Sequence, residues 1–413
     1  MSEIIKSSRQ KFDSLNRIAL FVFTAIILAW GKDFVPPAPG LDPGWVEALV
    51  QATDQGLSFG KEVVFTFGPY HQLYTNAIGD NLYPLVIGRL IYGMAWGAAA
   101  VGLANLSSPA FGWLIAIFLA FTTSLSADAP FYALQIVFLF VAASVARQKK
   151  LLVLAAIYCG IIVGIFCKLS FAVSAGPVII CVAILLARYS LRTARRRFVA
   201  MVVAVIVPVI LWLASGQVLS GVFGYLLGPN LAIVLGYSSA MATDDASAGW
   251  QVFAYWTGSI ALVTIIYRAS CFRIQNRIDS LMVTSISLFL FWTMFKAGMV
   301  RHDGHAFAAG QSLASFAIIT LAYASQQIAD QFILFPALSA LTLGLSIASQ
   351  YSSPIRSSLD HWFVSQVKNT YVFAETMASH GTSQRLQARR QKGFEGIKSD
   401  VENLSLIPGG GKC

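Results

Sequence analysis

Seven residues stand apart when the charges of this 413-residue chain are sorted by position: Asp42, Asp128, Lys168, Arg301, His302, Asp303 and His305. With Lys296 they fall at the ends of apolar runs, and on one side of the membrane if those runs cross it in turn. A carboxylate such as Asp42 can take a proton as a general base, and Asp128 is a second acid. Lys168 and Arg301 can hold a phosphate and stabilise it as it leaves, the guanidinium in a two-pronged grip. His302 and His305 can bind phosphate, pass protons or ligate a metal with Asp303. A charge beside hydrocarbon costs roughly 2.5–3.5 kcal/mol at a helix centre and less toward the interface, so a ring of charges at one mouth marks a functional site.

Each residue also has an ordinary role open to it. Asp42 precedes Pro43, and Asp as N-cap with Pro next is a common helix start. Asp128 before Pro130 fits a turn, and Lys168 can snorkel to lipid head groups. His302, Asp303 and His305 make three ligands at most, and Gly304 places them in a loop. Asp244 and Asp245 read as a solvated loop tip. A P-loop, GxSxG or HExxH motif is absent, so nucleotide hydrolysis, serine-hydrolase and zincin chemistry have no support.

The elements that must position these groups follow from composition. The chain is 56% hydrophobic and 12% charged, which cannot present a soluble surface, and its apolar runs recur at bilayer length. Long apolar runs without alternation specify helices rather than a barrel. Eleven segments are expected, at roughly 18–31, 84–106, 110–126, 131–146, 151–167, 171–187, 198–215, 250–267, 280–295, 306–323 and 332–350. The third and fourth, and the fifth and sixth, are short enough for hairpins of short or broken helices. Gly93/Gly97 and Gly160/Gly164 suit close helix contact. Five cysteines without a CxxC pair give no disulfide framework and no zinc site.

The net charge of +10 reads as topology rather than nucleic-acid binding. Of the 21 Lys and Arg before residue 351, fifteen lie at the N-terminus, 147–150, 188–197 and 268–277. Counting through eleven segments puts all four places on one side, the cytoplasmic side by the positive-inside rule. The first apolar run then reads as a signal anchor. The opposite face receives 32–83, the turns 127–130 and 168–170, the loops 216–249 and 296–305, and the tail. That face would be periplasmic or extracellular.

The largest piece on that face begins LDPGWVEALVQATDQGLSFGKEVVFTFGPY (41–70), an interfacial helix with an apolar stripe of Trp45, Val46, Leu49, Val50 and Ala52, ending near Gly56. An Asp just past the first membrane helix, a short interfacial helix and an extended stretch ending in Gly-Pro resemble the first luminal loop of the GT-C glycosyltransferases, among them the protein O-mannosyltransferases and aminoarabinose transferases. SLSADAPFYAL is similar to that family's second outer-face acid, and GIIVGIFCKLSFAVSAGPVII to its Gly-rich helix, Lys and Pro-containing helix. The resemblance covers roughly residues 15–190. It implies that Asp42 is the catalytic carboxylate, Asp128 a second acid near the metal or phosphate, and Lys168 a contact to the donor phosphate. Asp-Pro stands here where many relatives have Asp-Glu, and VRHDGHA has no counterpart, which leaves the acceptor and metal dependence open.

The expectation is an all-α, polytopic transmembrane helical bundle of about 11 helices, GT-C-like, over residues 1–350, with a short helical outer-face tail over 351–413. The function implied is transfer of a sugar from a polyprenyl-phosphate donor to a glycan, lipid or protein acceptor at the outer face of a bacterial inner membrane. A divalent cation is the cofactor to consider, membrane lipids are partners and nucleic acid is not. A transporter or flippase of a lipid-linked glycan, or a non-catalytic membrane protein, is the alternative; internal repeats and mid-membrane charges, which transporters more often show, are not found. The tail reads as two helices, about 357–379 and 382–404, broken at Gly381, and as the start of a truncated outer-face domain. Its basic cluster, Arg385, Arg389, Arg390 and Lys392, reads as a solvated face or a contact to anionic head groups.

Overall fold

Backbone in hydrocarbon has no water to bond with, so each apolar run satisfies its own N–H and C=O groups as a helix. A computed structural model of the protein describes residues 2–30, 34–125, 127–145, 151–191, 193–241, 249–299, 304–327, 331–349, 387–388 and 390–398. Its helices are α1 (Ser2–Trp30), α2 (Leu41–Asp54), α3 (Gln72–Thr75), α4 (Tyr83–Leu106), α5 (Pro109–Leu125), α6 (Ala129–Val145), α7 (Leu151–Cys167) and α8 (Leu169–Tyr189). They continue with α9 (Ala194–Ala214), α10 (Leu219–Leu227), α11 (Pro229–Met241), α12 (Gly249–Ile274), α13 (Arg277–Met299), α14 (Gly304–Tyr323) and α15 (Gln331–Ser349). Among the described residues there is no strand, only isolated bridges.

Each of the eleven expected segments falls on one helix: α1, α4 to α9, and α12 to α15. By length and composition, however, eight helical stretches are able to cross a membrane, and the apolar parts of α5, α6 and α7 are shorter. Among the described residues the count of stretches long and apolar enough to cross is therefore eight, not eleven, and α1 is not one of them. The eight include Leu219–Gly236, within 216–249, which the sequence reading took for a loop. That region holds α10 and α11, separated at Gly228.

The core gathers around α14, whose apolar stretch is 89% buried and which packs on α15, α6, α13, α12, α5 and α4. Small residues set the spacing. A Cβ on Gly310 would lie 2.7 Å from the Gly344 carbonyl oxygen of α15, and one on Gly160 of α7 would lie 2.3 Å from Ala95 Cβ of α4. The close approach foreseen for Gly160 is thus a contact of α7 with α4, while Gly97 faces Phe21 of α1. By contrast α9 is 11% buried over its apolar stretch and lies at the edge.

Two ends of the bundle follow from polar contacts. At one, the first loop meets the α5–α6 turn, the α7–α8 junction and the start of α14. At the other, Arg188 and Tyr189 of α8 hold the fully buried Asp279 of α13. There Arg273 of α12 also donates to the Tyr323 and Leu106 carbonyl oxygens, closing the ends of α14 and α4. The basic stretches 188–197 and 268–277 both belong to this second end.

Candidate functional site at the first-loop end

Helix α7 stops at Cys167 and α8 starts at Leu169, so Lys168 alone makes the turn, in extended conformation (φ −148°, ψ 123°). The orphaned groups of that break are taken by the first loop. Gly68 N donates to Cys167 O at 3.0 Å, Tyr70 N to Phe166 O at 3.1 Å, and Leu169 N to Thr66 O at 2.8 Å. This short antiparallel pairing sets Phe67 opposite Lys168. Glycine at 68 is required by space, since a Cβ there would lie 2.4 Å from the Phe166 carbonyl oxygen.

The junction aims Lys168 at Asp128. Its ammonium donates to Asp128 Oδ1 at 2.8 Å and to the Tyr74 hydroxyl oxygen at 3.3 Å, while that hydroxyl donates to Asp128 Oδ2 at 3.0 Å. Asp128 stands just before α6, and its backbone carbonyl accepts from Phe131 and Tyr132. Its carboxylate, however, is spent on Lys168 and Tyr74. Burial alone would raise the Asp128 pKa, but Lys168, the two hydrogen bonds and nearby His305 hold it below the usual carboxylate range. Burial alone would lower that of Lys168, but Asp128 and the Tyr74 and Tyr132 phenols hold it above the usual ammonium range. Both groups are charged at neutral pH.

Aromatic rings surround the pair. Lys168 Nζ lies 4.6, 5.5 and 5.6 Å from the ring centroids of Tyr74, Phe67 and Phe171, and Phe131 stacks on Phe171 at 4.5 Å. The layer continues outward through Trp45, stacked on Phe67 at 4.9 Å. Lys168 keeps 20% of its side chain exposed and Asp128 14%. An ammonium has three N–H groups, so one is left after Asp128 and Tyr74.

Asp42 is exposed in the first turn of α2. It does not cap the helix: Gly40 holds that position with φ 125°, and no side chain closes the end. Instead Asp42 Oδ1 accepts from the Trp45 indole N–H at 3.1 Å. Asp42 and Lys168 do not touch, but they are joined through Trp45 and Phe67. His305 lies in the first turn of α14, near enough to act on Asp128. Arg301, His302 and Asp303 lie outside the described residues. Among those described, no three His, Cys, Asp or Glu side chains converge as a metal site.

Several residues that the sequence reading did not single out hold this end together. His71 is fully buried, its Nε2 3.0 Å from Thr53 Oγ1 of α2. Burial pushes its pKa down to about 3 against an upward pull from the Leu49 backbone, so it stays neutral and structural. Arg89 of α4 is buried and donates to Asn76 Oδ1 at 3.0 Å, fixing the end of the loop to the bundle. Gln217 accepts from Phe59 N at 2.8 Å and donates to Leu57 O at 3.2 Å, tying the middle of the loop to the start of α10. The tail also reaches this end: Arg390 is not a solvated residue but 15% exposed, paired with Glu47 and Asp54 of α2. Of its cluster, Arg385 and Arg389 lie outside the described residues, as does the expected helix at 357–379, whereas 390–398 is helical.

An open groove of about 480 Å³ lined by Asp13, Ser14, Arg17, Ile18, Phe21 and Val101 belongs to the opposite end and holds none of these groups. Comparison of the chain with protein-family models, with curated proteins and with solved structures gives no match.

Proposed function

We propose that this integral membrane protein is a glycosyltransferase of GT-C type that moves a sugar from a polyprenyl-phosphate donor to an acceptor at the outer face of a bacterial inner membrane. The observation that carries the reading is Lys168: a charged ammonium at a one-residue break between apolar helices, with one N–H to spare, at the same bundle end as an exposed carboxylate on α2. The acceptor hydroxyl attacks the anomeric carbon and passes its proton to Asp42. The bond from that carbon to the phosphate oxygen breaks, its electron pair goes to the phosphate, and Lys168 stabilises the charge. Asp128 and Tyr74 hold the ammonium in place. The polyprenyl chain lies along apolar helix faces while its head group stays at the interface. Arg301, His302 and Asp303 are further phosphate or cation ligands on the same reading, and no step depends on a metal. The basic stretches at the opposite end support a cytoplasmic placement for that end.

The test is transfer of radiolabelled sugar from polyprenyl-phosphate donors in membranes carrying wild type, Asp42→Asn or Lys168→Ala at matched protein levels. Transfer by wild type and its loss in folded Asp42→Asn is the expected result. Failure of every donor with wild type, or full activity of Asp42→Asn, refutes the assignment, and transport of a lipid-linked glycan is then the reading to test.

A further inference from the structure

Three carboxylates of the first loop converge on one cation from the far end of the chain. Arg390 Nη2 lies 2.7 Å from Glu47 Oε1, and Nη1 lies 3.2 Å from Asp54 Oδ2 and 3.6 Å from Asp80 Oδ1. Glu47 is two residues past Trp45, Asp54 ends α2, and Asp80 sits ahead of α4. Asp54 also accepts from Asn81 N at 2.8 Å, so the same carboxylate closes the loop on itself. Arg390, Glu47 and Asp54 are each about 15% exposed, whereas Asp80 is 68% exposed and adds little. A second contact fixes the approach. A Cβ on Gly393, one helical turn from Arg390, would lie 2.6 Å from the Pro37 carbonyl oxygen, in the segment that leads into α2. The helix at 390–398 therefore straps both the entry and the face of α2.

Resting on the reading of Asp42 given above, we propose that Arg390 is a positioning residue: it fixes the rotation of α2 so that Trp45 stays stacked on Phe67 and Asp42 is presented toward the Lys168–Asp128 pair. A guanidinium bridging two carboxylates two turns apart suits this role, because its planar fork holds orientation where an ammonium holds only distance. Without it, the acids of α2 face each other uncompensated.

The test uses the full chain in lipid nanodiscs and reads hydrogen exchange over 41–56, with 169–189 as the internal reference, beside the sugar-transfer assay. Arg390→Gln is expected to speed exchange in 41–56 by roughly tenfold, about 1.4 kcal/mol, and to lower kcat more than it raises KM. Arg390→Lys recovers only part of kcat. Gly393→Leu, which leaves every charge in place, is expected to do the same as Arg390→Gln, and Gly396→Leu, with open space around it, to do nothing. Unchanged exchange in 41–56 for both Arg390→Gln and Gly393→Leu overturns the strap. Faster exchange with undiminished kcat overturns the positioning role while leaving the strap. If wild type transfers no sugar but exchange still rises, the strap stands and the transferase reading is what fails.

Discussion

Removing either partner of the Lys168–Asp128 pair has unequal consequences. Exposed ion pairs contribute about 0.2–1 kcal/mol and breaking fully buried ones costs about 3–5 kcal/mol. With 20% and 14% of the two side chains exposed, the coupling falls between, at about 2 kcal/mol. Asp128→Asn leaves an ammonium still facing three aromatic rings, each worth about 0.5–1 kcal/mol to a cation. Lys168→Met loses those contacts as well and leaves a carboxylate with the Tyr74 hydroxyl as its remaining hydrogen-bond donor and only His305 nearby among the described residues, amid ring faces that disfavour an anion. Lys168→Met is therefore expected to be the more destabilising single change, and the double variant to fall short of the sum of the singles by about 2 kcal/mol. Denaturation in mixed micelles by increasing SDS, read by circular dichroism, gives the four free energies. Additivity within about 0.5 kcal/mol, or a greater loss in Asp128→Asn, would refute the reasoning.

The same pair sets a pH window. Asp128, with a depressed folded pKa, contributes stability that is present above the unfolded value near 3.9 and lost as pH falls through the folded one. Lys168, with a raised folded pKa, contributes stability that is complete below about 10.4 and lost as pH rises toward the folded value. In Lys168→Met, burial no longer opposed by the ammonium raises the Asp128 pKa, so the destabilisation is expected to be full in alkali short of about pH 10 and to shrink as pH falls through that raised value; a destabilisation that grows toward acid in SDS titrations would contradict this. Gly60 has φ 85°, and a Cβ there would lie 2.2 Å from Tyr225 N. Gly60→Ala is expected to detach the loop from α10, and protease cleavage between 55 and 65 would rise at least several-fold over wild type.

Much of the bundle was legible because hydrocarbon imposes a simple rule: an apolar run of sufficient length is a helix. The rule fails where a run is interrupted. VLSGVFGYLLGPNLAIVLGY is apolar, but Gly228-Pro229 cuts it into pieces each too short to read as a crossing, so 216–249 passed for a loop. Lys168 and Asp128 were legible as misplaced charges, whereas their pairing was not, because forty residues separate them and only the antiparallel return of α6 into α7 brings them together. Tyr74 carries no charge to flag it. Capping was the ordinary role open to Asp42 because Asp-Pro is a strong local signal, but the boundary depends on Gly40, whose left-handed backbone starts the helix earlier. Arg390 looked solvated because its partners lie more than three hundred residues back in sequence.

The single-residue turn between α7 and α8 divides the mouth of the bundle into two walls of different character. Connections between packed helices usually run about 2–8 residues, and this one has no slack: adding or removing a residue would rotate the start of α8 by about 100° and carry Nζ away from Asp128. The facing wall is a long loop held at separate points by Arg89 of α4, Gln217 just ahead of α10 and Arg390 of the tail. Changes of length have room to accumulate on the loop wall, while the wall carrying Lys168 must be kept at fixed length.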